Sequence, residues 1–200
     1  MSKWDDKYAG APEGLFGVEP NSYLEQVAQR SDFTAKSGIC LADGDGRNSR
    51  WLARRGLSMT ALDLSGVAAE NGRKLDAAAG VLVERIAGDV AHWNPDPGRQ
   101  WDAAFQFYLQ APAAERLAGL HLAEACVRPG GWIVVEGFSK QGGGDDLGPQ
   151  DPELLYSQDE LLSAFQDVET LELLSGVVRL DEGGRHQGLG GVVRFCGRKR

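Results

Sequence analysis

The chain has 200 residues, of which 42% are hydrophobic and 25% are charged. These fractions are typical of one globular domain with a sizeable core and argue against a disordered chain. The formal net charge of -8 argues against sequence-independent binding to nucleic acid, which needs a basic surface.

The apolar runs and the cysteines indicate the cellular compartment in which we expect the protein. No apolar run approaches the ~18 residues of a membrane span, and the N-terminus has no apolar signal segment. The three cysteines, Cys40, Cys126 and Cys196, are far apart and form no pair with metal-ligand spacing. We therefore expect a soluble cytoplasmic protein with no metal site and no membrane or nucleic-acid partner.

Apolar runs of strand length alternate with amphipathic stretches of helix length, a pattern typical of α/β proteins with a parallel sheet. Ser22 and Glu25 predict a capping box for a leading helix, and Ser157 and Glu160 predict one for the last helix. The predicted strands cover 37–41, 59–64, 81–87, 101–109, 132–138, 168–178 and 189–196, and the predicted helices lie near 23–30, 48–55, 67–79, 113–127 and from 157 onward.

The whole chain, 1–200, is predicted to be one domain. The short connection between the last two strands suits an antiparallel pair, so we expect a mostly parallel seven-stranded sheet with an antiparallel last strand and helices on both faces. The predicted parts are an N-terminal segment with the leading helix (1–30), a ligand-binding core (37–138), a mobile Gly-rich connector (139–156) and a C-terminal helix with a strand pair (157–200).

The sharpest local pattern is a glycine-rich bend between the first strand and the following helix. Gly44 and Gly46 allow a tight turn and the close approach of a ligand. The helix that follows offers free N–H groups to an anionic group, although a plain strand–helix turn is the alternative. A dinucleotide fingerprint would place a third glycine where Ser49 stands, which disfavours an NAD(P)-dependent oxidoreductase.

Two acidic residues follow neighbouring predicted strands. Asp63 ends the second strand and could accept hydrogen bonds from both ribose hydroxyls of an adenosine, or simply cap the next helix. Asp89 follows the third strand and could meet an adenine amino group while Val90 donates its backbone N–H, or it could be a turn residue. Ligands of open α/β sheets bind at this carboxyl edge, so the two positions support each other.

Several motifs in chain order resemble one family. The chain resembles small bacterial class I methyltransferases related to the tellurite-resistance methyltransferase, which use S-adenosyl-L-methionine (SAM). The motifs are Phe16-Gly17-Val18-Glu19-Pro20-Asn21, Ala42-Asp43-Gly44-Asp45-Gly46-Arg47-Asn48, Thr60-Ala61-Leu62-Asp63-Leu64-Ser65, Arg128-Pro129-Gly130-Gly131, Glu136-Gly137-Phe138 and Asp181-Glu182-Gly183-Gly184-Arg185-His186-Gln187-Gly188.

The resemblance implies a Rossmann-like class I fold with SAM as the cofactor. Residues 16–21 would form part of a lid. The expected cofactor-binding residues are Ala42, Gly44 and Arg47 at the methionine end, Asp63 at the ribose, and Asp89 and Val90 at the adenine. Gly46 and Leu64 are expected to bind the cofactor as well.

The chain departs from the family pattern in the glycine turn. Many class I enzymes carry an acid at the position of Cys40 and a glycine at that of Ala42. A thiol cannot accept from the methionine ammonium as a carboxylate would. Either Asp43 or Asp45 could take over that contact.

The expected catalytic residues are His186 and Tyr108. His186 could take a proton from the acceptor, and Tyr108 with Gln110 could line the pocket where the methyl group emerges. Arg185 could attract an anionic acceptor. Each of these residues also has an ordinary structural interpretation, as a turn, core or surface side chain.

The sequence thus predicts an enzyme that methylates a small molecule, with a sulfur, selenium or tellurium nucleophile as the favoured acceptor. The alternatives are a SAM-binding accessory or regulatory protein without catalysis and, less favoured, the oxidoreductase. The small acceptor is the expected partner, and the chain is expected to be a monomer or a homodimer.

Overall fold

A computed structural model describes residues 3–139, 147–183 and 186–200. Its helices are α1 (Lys3–Ala9), α2 (Ser22–Ala28), α3 (Arg47–Arg54), α4 (Gly66–Ala78), α5 (Ala113–Cys126) and α6 (Gln158–Ala164), with a 3₁₀ turn at Pro152–Leu154. Its strands are β1 (Ser37–Leu41), β2 (Ser58–Asp63), β3 (Val83–Ala87), β4 (Trp101–Phe107), β5 (Val127–Phe138), β6 (Val168–Asp181) and β7 (Gln187–Lys199).

The strands form one seven-stranded sheet in the order β3-β2-β1-β4-β5-β7-β6. The pairs among β1 to β5 are parallel, and β7 runs antiparallel to both β5 and β6. The first three strands are added toward one edge of the sheet. After β3 the chain returns to the other side of β1, where β4 pairs with it. The predicted mostly parallel sheet with an antiparallel last strand is confirmed, and its topology is that of the Rossmann-like class I methyltransferase fold.

The core lies on both faces of the sheet because successive side chains of a strand point to opposite faces. On β1, Ile39 and Leu41 belong to the cluster that includes Leu120 of α5 and Leu161 of α6. Cys40, between them, belongs to the opposite cluster with residues of α2 and α3. This double burial explains why β1 reads as a continuous apolar run.

The helix caps partly differ from the prediction. Ser157 caps α6 by accepting from the backbone N–H of Glu160, as expected. The cap of α2 is Asn21, whose side chain accepts from the backbone N–H of Leu24, so the predicted Ser22 cap is wrong. Ser22 has another partner, since its hydroxyl and its backbone N–H both donate to Glu182. The contact of Ser22 with Glu182, 160 positions away, explains why Asn21 and not Ser22 caps α2.

Other differences lie at the N-terminus and in the connector. Helix α1 was not predicted, and it packs on α4. Within the predicted mobile connector, residues 140–146 lie outside the described residues, whereas Tyr156 is fully buried. No helix within the described ranges is long and apolar enough to cross a membrane.

Candidate active site

A cavity of about 620 Å³ opens at the carboxyl ends of the parallel strands. This volume lies in the usual range of small-molecule sites. Of the ten residues expected to bind the cofactor or to act in catalysis, nine line the cavity and Gly46 does not. The nine are Ala42, Gly44, Arg47, Asp63, Leu64, Asp89, Val90, Tyr108 and His186.

The cavity has two distinct ends. The carboxylate end lies at the tips of β2 and β3 and consists of Asp63, Leu64, Asp89 and Val90. The aromatic end lies beyond the tips of β4 and β5 and consists of Phe16, Tyr108, Phe138 and His186. The tip of β1 separates them, because β1 lies between β2 and β4 in the sheet.

Backbone strain is concentrated at this cavity. Ala42 and Tyr108 are the two non-glycine residues with positive φ in the described ranges, at 53° and 54°. They directly follow the neighbouring strands β1 and β4, and both line the cavity. A side chain in this region costs roughly 1–3 kcal/mol, and such strain is typical of functional sites.

Asp63 is the central acid of the carboxylate end. One carboxylate oxygen accepts from the backbone N–H of Gly44 at 2.7 Å and the other from that of Ser65 at 2.8 Å. Burial, opposed by these two bonds, raises the pKa of Asp63 to about 6. Each carboxylate oxygen keeps a further lone pair, so the side chain is able to accept two ligand hydroxyl groups as well.

Leu64, Asp89 and Val90 surround Asp63 at the same end. Leu64 is half exposed although it is a large apolar residue, and it borders the cavity, as suits the flat face of a base. Asp89 accepts from the backbone N–H of Ala91, which lowers the pKa of its carboxyl group. The end therefore combines apolar surface with acceptors, which is what an adenosine group requires.

The glycines of the turn make room for protein side chains. A Cβ at Gly44 would overlap with the hydroxyl of Tyr8, and one at Gly46 would overlap with the guanidinium of Arg85. Both glycines also have positive φ, at 60° and 89°. The expected contact between Gly46 and the cofactor stays a prediction. In the structure the neighbour of Gly46 is the buried Arg85, which the sequence did not lead us to expect.

Arg85 holds a buried ionic cluster beneath the glycine turn. Its guanidinium donates to both oxygens of Asp76, at 2.6 and 2.9 Å, and lies 3.4 Å from Asp43. Burial raises the pKa of Asp43 in spite of Arg85. An arginine two residues from the end of a short apolar strand was the available sequence signal for this cluster.

The two acids that could replace the one missing at Cys40 are placed differently. Asp45 accepts from the backbone N–H of Leu15 and is not part of the cavity wall. Asp43 belongs to the wall, and its Oδ1 is a buried acceptor without a hydrogen-bond partner among the described residues. The Cys40 thiol is fully buried, which raises its pKa well above the usual value. Of the two acids, Asp43 alone lines the cavity.

A second buried cluster supports the aromatic end. Glu136 accepts from the side chains of Asn21, Tyr108 and Arg194. Glu182 accepts from Arg47 at 3.0 Å and from both Asn21 and Ser22. The cluster ties the N-terminal segment to β5, to β7 and to the turn after β6. Sequence reasoning missed it, although a glutamate inside the apolar β5 was a signal.

His186 lies among the rings of the aromatic end. Its ring centroid lies 4.4 Å from that of Tyr108, 5.5 Å from that of Phe16 and 5.7 Å from that of Phe138. Burial, together with the charge of Arg47, lowers the pKa of His186 to about 4. The ring is therefore neutral at physiological pH.

The N-terminal segment and the connector complete the wall. Lys3, Trp4 and Lys7 of α1 line the cavity, as do Leu147, Gly148, Pro149 and Leu154. Gln110, expected at the pocket, donates to the carbonyl of Leu154 and accepts from the backbone N–H of Phe138, so it joins two parts of the wall. Arg185, the expected anion-binding residue, lies outside the described residues.

Comparison with known proteins agrees with this geometry. Residues 39–131 match the model of a methyltransferase domain family. A comparison with curated protein sequences gave no significant match.

Solved structures share the fold at low sequence identity. One, which concerns the conversion of a disulfide bond into a thioacetal group during echinomycin biosynthesis, has a TM-score of 0.74 and 17% identity over 98% of this chain and 90% of that chain. TehB from Haemophilus influenzae has a TM-score of 0.72 and 16% identity over 99% of this chain and 68% of its own. The [4+2]-cyclase SpnF has a TM-score of 0.70 and 16% identity over 96% and 89%.

The family match runs from within β1 to the first part of β5 and includes the glycine turn, Asp63, Asp89 and Tyr108. Residues 39–131 therefore match a methyltransferase domain, and the solved structures show that the chain has the class I methyltransferase fold.

Proposed function

We propose that this enzyme transfers the methyl group of SAM to a small molecule with a soft nucleophile, a sulfur, selenium or tellurium atom. The observation that carries the proposal is the single cavity in which an adenosine-compatible carboxylate end faces an aromatic end. The first end suits the donor and the second suits a small acceptor.

SAM fits the residues of the carboxylate end. Asp63 has lone pairs left for both ribose hydroxyls, and Leu64 and Val90 offer apolar surface to the adenine. The orphaned Oδ1 of Asp43 is an acceptor that a methionine ammonium would satisfy. When bound, SAM supplies an electrophilic methyl group. The task left to the protein is to align the nucleophile, and good alignment lowers barriers by about 7–11 kcal/mol in favourable cases.

The aromatic end favours a nucleophile that needs no strong base. The carboxylate that contacts Tyr108, that of Glu136, is fully buried and already accepts from three side chains. Tyr108 donates its hydroxyl hydrogen to this carboxylate at 2.6 Å, and burial raises the pKa of Tyr108 well above its usual value. A thiol or a related soft group, which ionises near neutral pH, reacts without deprotonation by such residues.

Two of the structural relatives are consistent with this acceptor class. One of them concerns the conversion of a disulfide bond into a thioacetal group, which is chemistry at sulfur. The sequence motifs also resemble those of the tellurite-resistance group, and TehB shares the fold. We extend this chemistry to the present chain as part of the proposal.

A SAM-binding protein without methyl transfer is the second candidate. Cys40 offers no carboxylate where many class I enzymes have one, and its thiol is fully buried. The fold is also compatible with other chemistry, because the [4+2]-cyclase SpnF shares it.

Methyl transfer from labelled SAM to a panel of small thiols, selenite and tellurite tests the proposal. We expect methylated product with at least one acceptor, and loss of product in Asp63→Ala because donor binding is weakened. Calorimetry with SAM and S-adenosylhomocysteine would run in parallel.

Binding of both ligands without methylation of any soft acceptor would favour the second candidate. Thermal stabilisation by NADH and not by SAM would contradict both candidates and favour an NAD(P)-dependent oxidoreductase instead.

A further inference from the structure

The protonation of His186 can be derived from its neighbours. Nδ1 of the ring lies 3.4 Å from Nη2 of Arg47. A guanidinium group only donates hydrogen bonds, so this ring nitrogen must be the acceptor. In a neutral imidazole only one nitrogen accepts, and the other carries the hydrogen. The hydrogen of His186 therefore belongs on Nε2.

Arg47 is firmly held in the position that imposes this tautomer. One of its nitrogens donates to the backbone carbonyls of Glu19 and Glu182, and the other donates to the Glu182 carboxylate at 3.0 Å. The guanidinium is almost fully buried. Arg47 thus cannot turn away from His186 without leaving the buried Glu182 carboxylate without its ion-pair partner.

Among the described residues, no other charged group reverses this assignment. The Glu182 carboxylate lies 3.9 Å from Nδ1, beyond hydrogen-bond distance, and is already occupied by Arg47, Asn21 and Ser22. Tyr108 faces the ring from β4, but its hydroxyl donates to Glu136. The remaining ring neighbours, Phe16 and Phe138, are uncharged. The low pKa of His186 agrees with a neutral ring.

The other edge of the ring is available to a ligand. His186 lines the cavity, and within the described ranges Nε2 makes no hydrogen bond. Because Nδ1 is directed at Arg47, the Nε2–H group is the polar part of the ring that remains for a bound molecule. A nitrogen that already carries a hydrogen has no lone pair with which to remove a proton.

We propose that His186 is a hydrogen-bond donor to the methyl acceptor through Nε2, and that the acceptor reacts as an anion that the ring orients. This inference rests on the proposed methyl transfer. The lone pair of the anion forms the bond to the methyl carbon, the bond between that carbon and the sulfonium sulfur breaks, and its electrons stay on that sulfur. No proton moves in this step. The expected role of His186 as a base is thereby replaced.

Two variants separate a donor from a base. In His186→Gln, the amide oxygen can accept from Arg47 while the amide NH₂ group donates, so the donor pattern survives without a basic nitrogen. In His186→Ala both functions are lost. The probe is thiophenol, measured at pH 8, where it is ionised.

The first measurement is binding of thiophenol to the protein saturated with S-adenosylhomocysteine, which needs no turnover. We expect affinity within about 3-fold of the native protein for His186→Gln and a loss of about 10-fold or more for His186→Ala, which corresponds to one hydrogen bond to a charged group. Equal losses in both variants would overturn the donor role.

The second measurement is the ¹⁵N spectrum of the histidine rings, with the His186 signals identified by their absence from His186→Gln. We expect the hydrogen on Nε2 between pH 6 and 8; a hydrogen on Nδ1 would overturn the proposal. The third is the rate of thiophenol methylation. We expect the rate of His186→Gln to depend on pH as the native rate does. If the fall in rate at low pH disappeared in this variant, His186 would be a base after all. If no thiol is methylated, the proposed function fails while the first two measurements still decide the role of His186.

Discussion

At the carboxylate end of the cavity, Asp63 and Asp89 each accept from a backbone N–H two residues later in the chain, and Asp63 also accepts from Gly44, 19 positions before it. At the aromatic end, Asn21 reaches Glu136 across 115 positions and Glu182 across 161 positions. The first end is therefore assembled mainly from local turns at strand tips, whereas the second exists only after the N-terminal segment, β5 and the turn after β6 have come together.

The two ends also differ in how their charges are supported. Beneath the glycine turn, Arg85 serves both Asp76 and Asp43, and Arg50 lies 3.6 Å from Asp76. Beneath the aromatic end, Arg47 and Arg194 each have their own glutamate, and Asn21 links the two pairs. Breaking either cluster should destabilise the protein, but only the second cluster should affect acceptor binding.

The largest expected effect is that of Glu136→Ala. It leaves Arg194 buried without its carboxylate and removes the acceptor of Asn21 and Tyr108. Removing one partner of a buried pair costs about 3–5 kcal/mol in the free energy of unfolding. Urea unfolding measures the loss.

The matched control for this change is Glu70→Ala, which breaks an exposed pair with Arg73. Exposed pairs contribute at most about 1 kcal/mol. Equal losses in the two variants would mean that the Glu136 cluster does not hold the aromatic end together.

The next effect concerns the space that Gly46 leaves for Arg85. Gly46 and Gly56 have nearly the same φ, 89° and 91°, so an alanine at either position carries a similar backbone cost of about 1–2 kcal/mol. An added Cβ meets Arg85 only at Gly46 and nothing within 4 Å at Gly56. Overpacking adds about 1–3 kcal/mol, so Gly46→Ala should be the more destabilising by that amount in urea unfolding. Equal losses would contradict the role given to Arg85.

Asp63→Ala tests the carboxylate end directly. We expect the affinity for S-adenosylhomocysteine to fall about 10- to 100-fold, because hydrogen bonds to a charged acceptor contribute about 1.5–3 kcal/mol. Calorimetry measures the change, and the affinity of the S-adenosylhomocysteine-saturated variant for thiophenol is the control, which should stay near the native value. A parallel loss of both affinities would show that the two ends are not independent.

The raised pKa of Asp63 gives this end a pH dependence. A carboxyl group with a pKa of about 6 becomes protonated as the pH falls through 6, and it then accepts fewer hydrogen bonds. Affinity for S-adenosylhomocysteine should therefore be constant above pH 7 and decline below pH 6. Asp63→Asn should remove this decline, and its persistence in that variant would assign it to another group.

The smallest effect is expected for Asp89→Asn. The Asp89 side chain is 38% exposed, and water competes for its contacts. We expect the affinity for S-adenosylhomocysteine to fall by no more than about 5-fold, in line with about 1 kcal/mol for an exposed interaction. A loss of affinity as large as that of Asp63→Ala would show that Asp89, after β3, contributes as much to cofactor binding as Asp63, at the end of β2.

The sequence pattern predicted the sheet well, and it identified four residues that the structure brings together at one end of the cavity. Strand β1 was placed at its observed bounds, and Asp63, Leu64, Asp89 and Val90 all border the cavity. These features depend on the period of the apolar residues and on turns within a few positions of each strand, which a single sequence displays. The start of β5 and the cap of α2 were less accurate, because the pairing of Val127 with Trp101 of β4 and the contact of Ser22 with Glu182 decided them.

By itself, the sequence determined an α/β chain with a glycine turn and two acids at neighbouring strand tips, since local residue types fix those elements. Only the tertiary structure decided that Gly46 makes room for Arg85, that Glu136 and Glu182 are joined through Asn21, and that Arg47 faces Nδ1 of His186. The physical reason is that burial sets the cost of an unpaired charge, and which groups are buried together depends on contacts between positions far apart in the chain.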